Sequence, residues 1–172
     1  MASWVRVFCA AAAVLFLLAV GGCATVGAPA VMAARFDPAE AAYVLAPGKA
    51  HVRGQAFVRQ NNGKLLRATG TDVFLIPRTA YADERIAALY GERRQLRTGA
   101  RLPDSDPLYD HYMRKTIASS GGSFDFDGVA DGDYYVVAMI HLPAESVFLQ
   151  FPILEQVTVK GGKSVKLVMR GY

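Results

Sequence analysis

Gly122-Ser123-Phe124-Asp125-Phe126-Asp127-Gly128-Val129-Ala130-Asp131-Gly132-Asp133-Tyr134-Tyr135-Val136-Val137-Ala138-Met139 is the stretch on which the fold turns. Phe124 and Phe126 alternate with Ser123, Asp125 and Asp127, the period-two pattern of a strand with one buried face. Asp131-Gly132 follows, a pair that tolerates positive φ in a tight turn. Beyond it, Tyr134, Val136, Ala138 and Ile140 line one face, and Tyr135, Val137 and Met139 line the other. Both faces are apolar, which places this second strand in the middle of a sheet. The stretch is expected to form the central hairpin of a β domain. Phe124, Phe126, Tyr134 and Val136 would lie in the core, and the aspartates on the rim.

The chain around it has 172 residues, 52% of them apolar, enough for one compact domain with its own core. Lys and Arg number 19 against 15 Asp and Glu, a net charge of +4. That excess is too small and too scattered to argue for nucleic acid.

The N-terminus reads as an address. Arg6 precedes an unbroken apolar run from Val7 to Val20, the length of a signal-peptide core and short for a bilayer span. The run ends in Val20-Gly21-Gly22-Cys23, which resembles a bacterial lipobox. The resemblance implies cleavage before Cys23, whose thiol then accepts a diacylglyceryl group. Cleavage after Ala28-Pro29-Ala30 and an uncleaved anchor are the alternatives. On the lipoprotein reading, residues 1–22 are signal peptide, 23–35 a tether with little structure, and 36–172 the domain. Cys9 leaves with the signal and Cys23 is consumed, so no thiol remains for a disulfide. Ala24, where aspartate would retain a lipoprotein at the inner membrane, implies an outer-membrane, periplasmic location. Several acyl chains on one cysteine anchor stably where one would be marginal.

In chain order, Asp37-Pro38-Ala39-Glu40 predicts a short helix, with Asp37 as cap and Glu40 closing a capping box. His51 to Arg59 predicts a strand with Val52, Gly54, Ala56 and Val58 on one face. Gly54 in mid-strand implies close approach by another backbone. Asn61-Asn62-Gly63 is a turn. Val73, Leu75 and Pro77 mark a second strand, which Pro77 ends. Ala82, Ile86, Leu89 and Tyr90 fall at helical spacing, with Gly91 as the stop. Asp106-Pro107 opens a helical turn, and Met113 to Ser119 is a strand. Pro143 lies in a loop, and Gln156 to Arg170 is a second hairpin about Gly161-Gly162.

These residues resemble the carboxypeptidase regulatory-like domain. The likeness lies in Val52-Arg53-Gly54-Gln55-Ala56, Gly63, Gly70 to Leu75, and above all Gly122-Ser123-Phe124-Asp125-Phe126 with Gly132-Asp133-Tyr134-Tyr135-Val136. It implies an all-β fold, a seven-stranded antiparallel β-sandwich of transthyretin-like or Cna-B-like type. Residues 78–115 depart from the family as a short helical insertion. Modules of this family are accessory, adhesive or carbohydrate-binding and not catalytic.

Site chemistry is sparse. Asp125, Asp127, Asp131 and Asp133 offer hard oxygens, but strand alternation and turn chemistry explain them without calcium, and no EF-hand spacing is present. His51, His111 and His141 are far apart in sequence and lack a zinc motif. His111 beside Asp110 has no nucleophile to serve. Neither a cofactor nor a metal is expected. The candidate recognition surface is the insertion, where Tyr90, Tyr109 and Tyr112 accompany Arg93, Arg94 and Arg97, residue types favoured at binding hot spots. The competing reading packs Tyr90 with Ile86 and Leu89 against the sandwich. The expected function is a non-catalytic lipoprotein module held to the membrane through Cys23. It would bind an envelope protein or, alternatively, a glycan.

Overall fold

The computed structural model describes residues 31–90, 96–97, 100–142 and 149–171. The signal peptide, Cys23, Arg93, Arg94, Gly91 and the loop at Pro143 lie outside the described residues. The elements run α1 (Pro38–Ala41), a 3-10 turn (Ala42–Leu45), β1 (Ala50–Arg59), β2 (Leu65–Arg67), β3 (Asp72–Pro77) and α2 (Ala80–Leu89). A 3-10 turn (Tyr109–Tyr112), β4 (Arg114–Ile117), β5 (Ser123–Val129), β6 (Gly132–Leu142), β7 (Leu149–Val159) and β8 (Val165–Gly171) follow.

The strands form two four-stranded sheets, an all-β sandwich. In the first, β1 is central. It pairs with β8 on one side, and with β5 and then β2 on the other. The second runs β4-β3-β6-β7. Seven strands and purely antiparallel pairing were expected, and both points need correction. β2 is an eighth strand. β8 runs parallel to β1 from Val52↔Val165 to Val58↔Gly171.

The two expected hairpins are also corrected. β5 pairs with β1 while β6 pairs with β3 and β7, so the organising stretch crosses from one sheet to the other. β7 and β8 do the same. An arch and a hairpin share one sequence pattern, because both present alternate residues to the same core. Here the inner faces meet across the core instead of sharing one sheet. Phe124 and Phe126 face it from the first sheet, and Tyr134 and Val136 from the second. Asp131 joins the arches: its carboxylate accepts the N–H groups of Gly161 (2.5 Å) and Gly162 (2.8 Å). The Tyr134 hydroxyl donates to the Ala130 carbonyl at 2.9 Å and closes the first arch.

Gly54 behaves as its position implies. A Cβ there would lie 2.6 Å from the Leu167 carbonyl oxygen and 2.8 Å from Phe124 Cζ. Its absence lets β8 and the Phe124 ring close over β1.

The second sheet buries its outer face too. Ile76, Tyr135, Val137 and Leu154 pack against Tyr81, Ala82, Tyr90 and Tyr109 in a second core. The insertion is therefore the cover that makes β6 apolar on both sides. Thr79 caps α2, its Oγ1 accepting from the Ala82 N–H at 3.1 Å. Asp83 holds the helix start to the sheet, taking hydrogen bonds from Arg78 and from the Tyr135 hydroxyl (2.7 Å). Burial pushes the Asp83 carboxyl up, and these hydrogen bonds outweigh it, leaving its pKa below the ordinary value.

Residues 31–35 were expected to be loose tether, but they are held. The Ala33 and Ala34 N–H groups donate to the Glu84 carboxylate at 2.8 and 2.6 Å, and Met32, Ala34 and Phe36 pack on the second core. Asp37 caps α1 as expected, accepting from the Ala39 N–H at 2.8 Å. Glu40 does not close a capping box. Its Oε2 instead accepts from the Ala80 N–H at 3.2 Å.

Candidate functional site

Packing takes two tyrosines of the expected recognition surface on the insertion into the core. Tyr90 and Tyr109 are each only 5% exposed, too little to present a ring to a partner. Tyr90 ends α2, its N–H donating to the Ile86 carbonyl, and forms a bridge with Leu96. Tyr109 stands edge-on to Tyr81 and Phe36, with centroids 5.0 and 5.6 Å away. Burial pushes the Tyr90 hydroxyl up to about 12 and that of Tyr109 higher still. Tyr112 is half-buried against Phe36, centroids 5.4 Å apart. Of the expected set, Arg97 alone is both described and exposed. Helical spacing had already offered the reading that holds for Tyr90. Nothing local signalled the burial of Tyr109, because Phe36, Tyr81 and Tyr109 meet only in the fold.

The four aspartates point in different directions. Asp125 lies beside His51 (3.1 Å) and Arg53 (3.6 Å), and Asp127 beside Arg114 (3.6 Å). Asp131 holds the arches and Asp133 accepts from the Thr158 hydroxyl at 2.5 Å. Among the described residues no three His, Cys, Asp or Glu side chains converge as metal ligands would.

An open cleft of about 690 Å³ near Asp131 is lined by Glu40, Tyr43, Arg78, Asp83 and Asp133. Its carboxylates are engaged in the internal bonds described above. The Tyr43 hydroxyl donates to the Asp133 carbonyl, and burial pushes its pKa up to about 12. Structural work accounts for these groups.

The outer face of the first sheet is different. Nothing among the described elements covers it as α2 covers the other sheet. Register places Arg53, Gln55, Phe57 and Arg59 outward on β1, with Lys166, Val168 and Arg170 beside them on β8. Arg67 and Leu65 of β2 stand opposite Phe57 and Arg59. Two clefts open here. One, about 720 Å³, is lined by Arg53, Gln55, Ser123, Asp125, Lys166 and Val168, among others. The other, about 620 Å³, is lined by Phe57, Arg59, Gln60, Asn61, Leu65, Arg170 and Gly171. The Arg170 guanidinium stands 6.0 Å over the Phe57 ring, at the limit of a cation–π contact. The signal was present in the alternation of β1, whose outward row is Arg, Gln, Phe, Arg. The β1–β8 register that completes the face was not readable locally.

No family model matches the chain, and no curated protein matches its sequence. Among solved structures it is similar to a Pseudomonas aeruginosa protein proposed to bind carbohydrate. The two share 24% identity and a TM-score of 0.64, over 79% of this chain and 97% of the other. A streptococcal ancillary pilin aligns over 70% of this chain and 31% of its own length, with 10% identity and a TM-score of 0.36. The first likeness shows the sandwich fold.

Proposed function

We propose that the protein is a non-catalytic, lipid-anchored module of the cell envelope that binds carbohydrate on the outer face of its first sheet. The observation that carries this is the cleft at the end of β1. There a half-buried aromatic ring, Phe57, stands among the planar polar groups of Arg59, Gln60, Asn61 and Arg170. Ring faces receive the apolar faces of sugars, and planar amides and guanidinium groups bond hydroxyls in pairs. The Pseudomonas neighbour and the carboxypeptidase regulatory-like resemblance both agree with a saccharide ligand. Cys23 would fix the module to the outer membrane, and the rigid sandwich would present the face. The insertion, which had been the expected site for a protein partner, serves as a cover. Glycan-array binding by the full chain, with crosslinking in intact cells, tests the reading. Saccharide binding lost on Phe57→Leu supports it. A protein captured through residues 78–115, with no glycan bound, overturns it.

A further inference from the structure

The charges on the outer face of the first sheet are unequal. It carries Arg53, Arg59, Arg67, Lys166 and Arg170, with His51 at one end. The acids on β5 are Asp125 and Asp127, and their partners are already in place. Asp125 lies against His51 and Arg53, and Asp127 against Arg114. Among the described residues, no carboxylate lies within ion-pair distance of Arg59, Arg67, Lys166 or Arg170. These cations surround the two clefts, with Lys166 at one and Arg59 and Arg170 at the other. From Arg53 to Arg59 the row on β1 spans about 20 Å, with one outward side chain roughly every 7 Å. The charge therefore forms a strip along a strand and not a point.

We infer that this strip is a binding site for an anionic polysaccharide, a chain of acidic sugars whose carboxylates meet Arg59, Arg170 and Lys166 in turn. The inference rests on the carbohydrate reading above and specifies the ligand's charge. Charge complementarity supplies attraction, and guanidinium groups supply paired bonds to carboxylates. Phe57, Gln55, Gln60 and Asn61 supply what a bare phosphate or lipid surface would not use: a ring face and amides for hydroxyls. The placement of the strip also argues against the anchoring membrane as its occupant. The chain enters the domain on the opposite face, where Ala33 and Ala34 are bonded to Glu84 on α2. From Cys23 to Met32 the tether reaches at most roughly 30 Å. The basic strip therefore lies on the face of the domain away from the point where the chain enters it.

The test measures the full chain by titration calorimetry against polygalacturonate and against the same polymer with its carboxylates reduced to alcohols. Tighter binding to the acidic polymer, weakening with added salt, is expected. Arg59→Gln and Arg170→Gln should each lower affinity about tenfold, the equivalent of one charged hydrogen bond. Both positions are exposed, so melting temperatures should stay at that of the parent. Phe57→Leu should weaken the acidic polymer without changing the salt dependence. Equal binding of the acidic and reduced polymers overturns the anionic inference and leaves the carbohydrate reading standing. Binding of neither polymer, with no hit on a glycan array, overturns both. Equal affinity for phosphatidylglycerol vesicles, unaffected by Phe57→Leu, assigns the strip to nonspecific charge attraction and overturns the inference.

Discussion

Replacing Tyr109 by alanine separates the two roles open to the insertion. If the insertion is a cover, Tyr109 is a core residue. Its ring is 5% exposed, stands edge-on to Tyr81 and Phe36, and lies under the Arg85 guanidinium at 5.7 Å. Removing a buried aromatic ring costs about 3–5 kcal/mol in transfer and cavity terms together. Aromatic pairing adds to the loss, whereas a surface segment can settle partly into the gap. The lower end, about 3 kcal/mol, is the expected cost. For a domain of this size that corresponds to a fall of about 10 °C in melting temperature. Near-UV circular dichroism on heating reads it directly, since the second core is rich in tyrosine. Arg97→Ser, at an exposed position, should cost less than about 0.5 kcal/mol. A Tyr109→Ala protein that melts with the parent would refute the second core and restore the insertion as a recognition surface.

Other expectations follow from the same contacts. Gly54→Val should destabilise by about 1–3 kcal/mol or more, because the Leu167 carbonyl is backbone and cannot rotate aside; urea unfolding measures it. Glu84→Gln should loosen residues 31–36 and speed tryptic cleavage after the exposed Arg35, whereas an unchanged digestion rate would show that the strap does not depend on Glu84. The Ala33 and Ala34 N–H groups hold the Glu84 carboxyl below its ordinary value. The strap's contribution should therefore be complete above the unfolded-state pKa of Glu84 and fade as pH falls through the lowered folded value, which amide exchange at Ala33 and Ala34 can follow. If Cys23 carries the proposed lipid, mass spectrometry should find an acylated N-terminus that Cys23→Ser abolishes, with the protein leaving the membrane fraction; an unlipidated parent would contradict that reading.

Much of the sandwich was legible because alternation survives in β1, β5 and β8, and because Gly54 and Asn61-Asn62-Gly63 carry backbone meaning. The pairing of those strands was not. Strand alternation records which face is buried, and an arch buries the same residues as a hairpin. The Asp131 bond to the Gly161-Gly162 turn links residues thirty positions apart, so the aspartate read as a simple turn former. The apolar outer row of β6, Tyr135 and Val137, was read as the mark of a central strand, and it also reflects a cover. What supplied it was less evident, because the Tyr and Arg residues of the insertion read equally as a surface. The proposed binding face was spelled in β1 as Arg53, Gln55, Phe57 and Arg59. It became a candidate site only when parallel β8 brought Lys166 and Arg170 alongside.

The central claim is that the ligand lies on the first sheet and not on the insertion. Amide chemical-shift mapping during titration with polygalacturonate tests it most directly. Shifts gathered at Gln55, Phe57, Arg59, Asn61, Lys166 and Arg170 are predicted. Shifts gathered instead along Ala80–Leu89 and Tyr109–Tyr112 would contradict it.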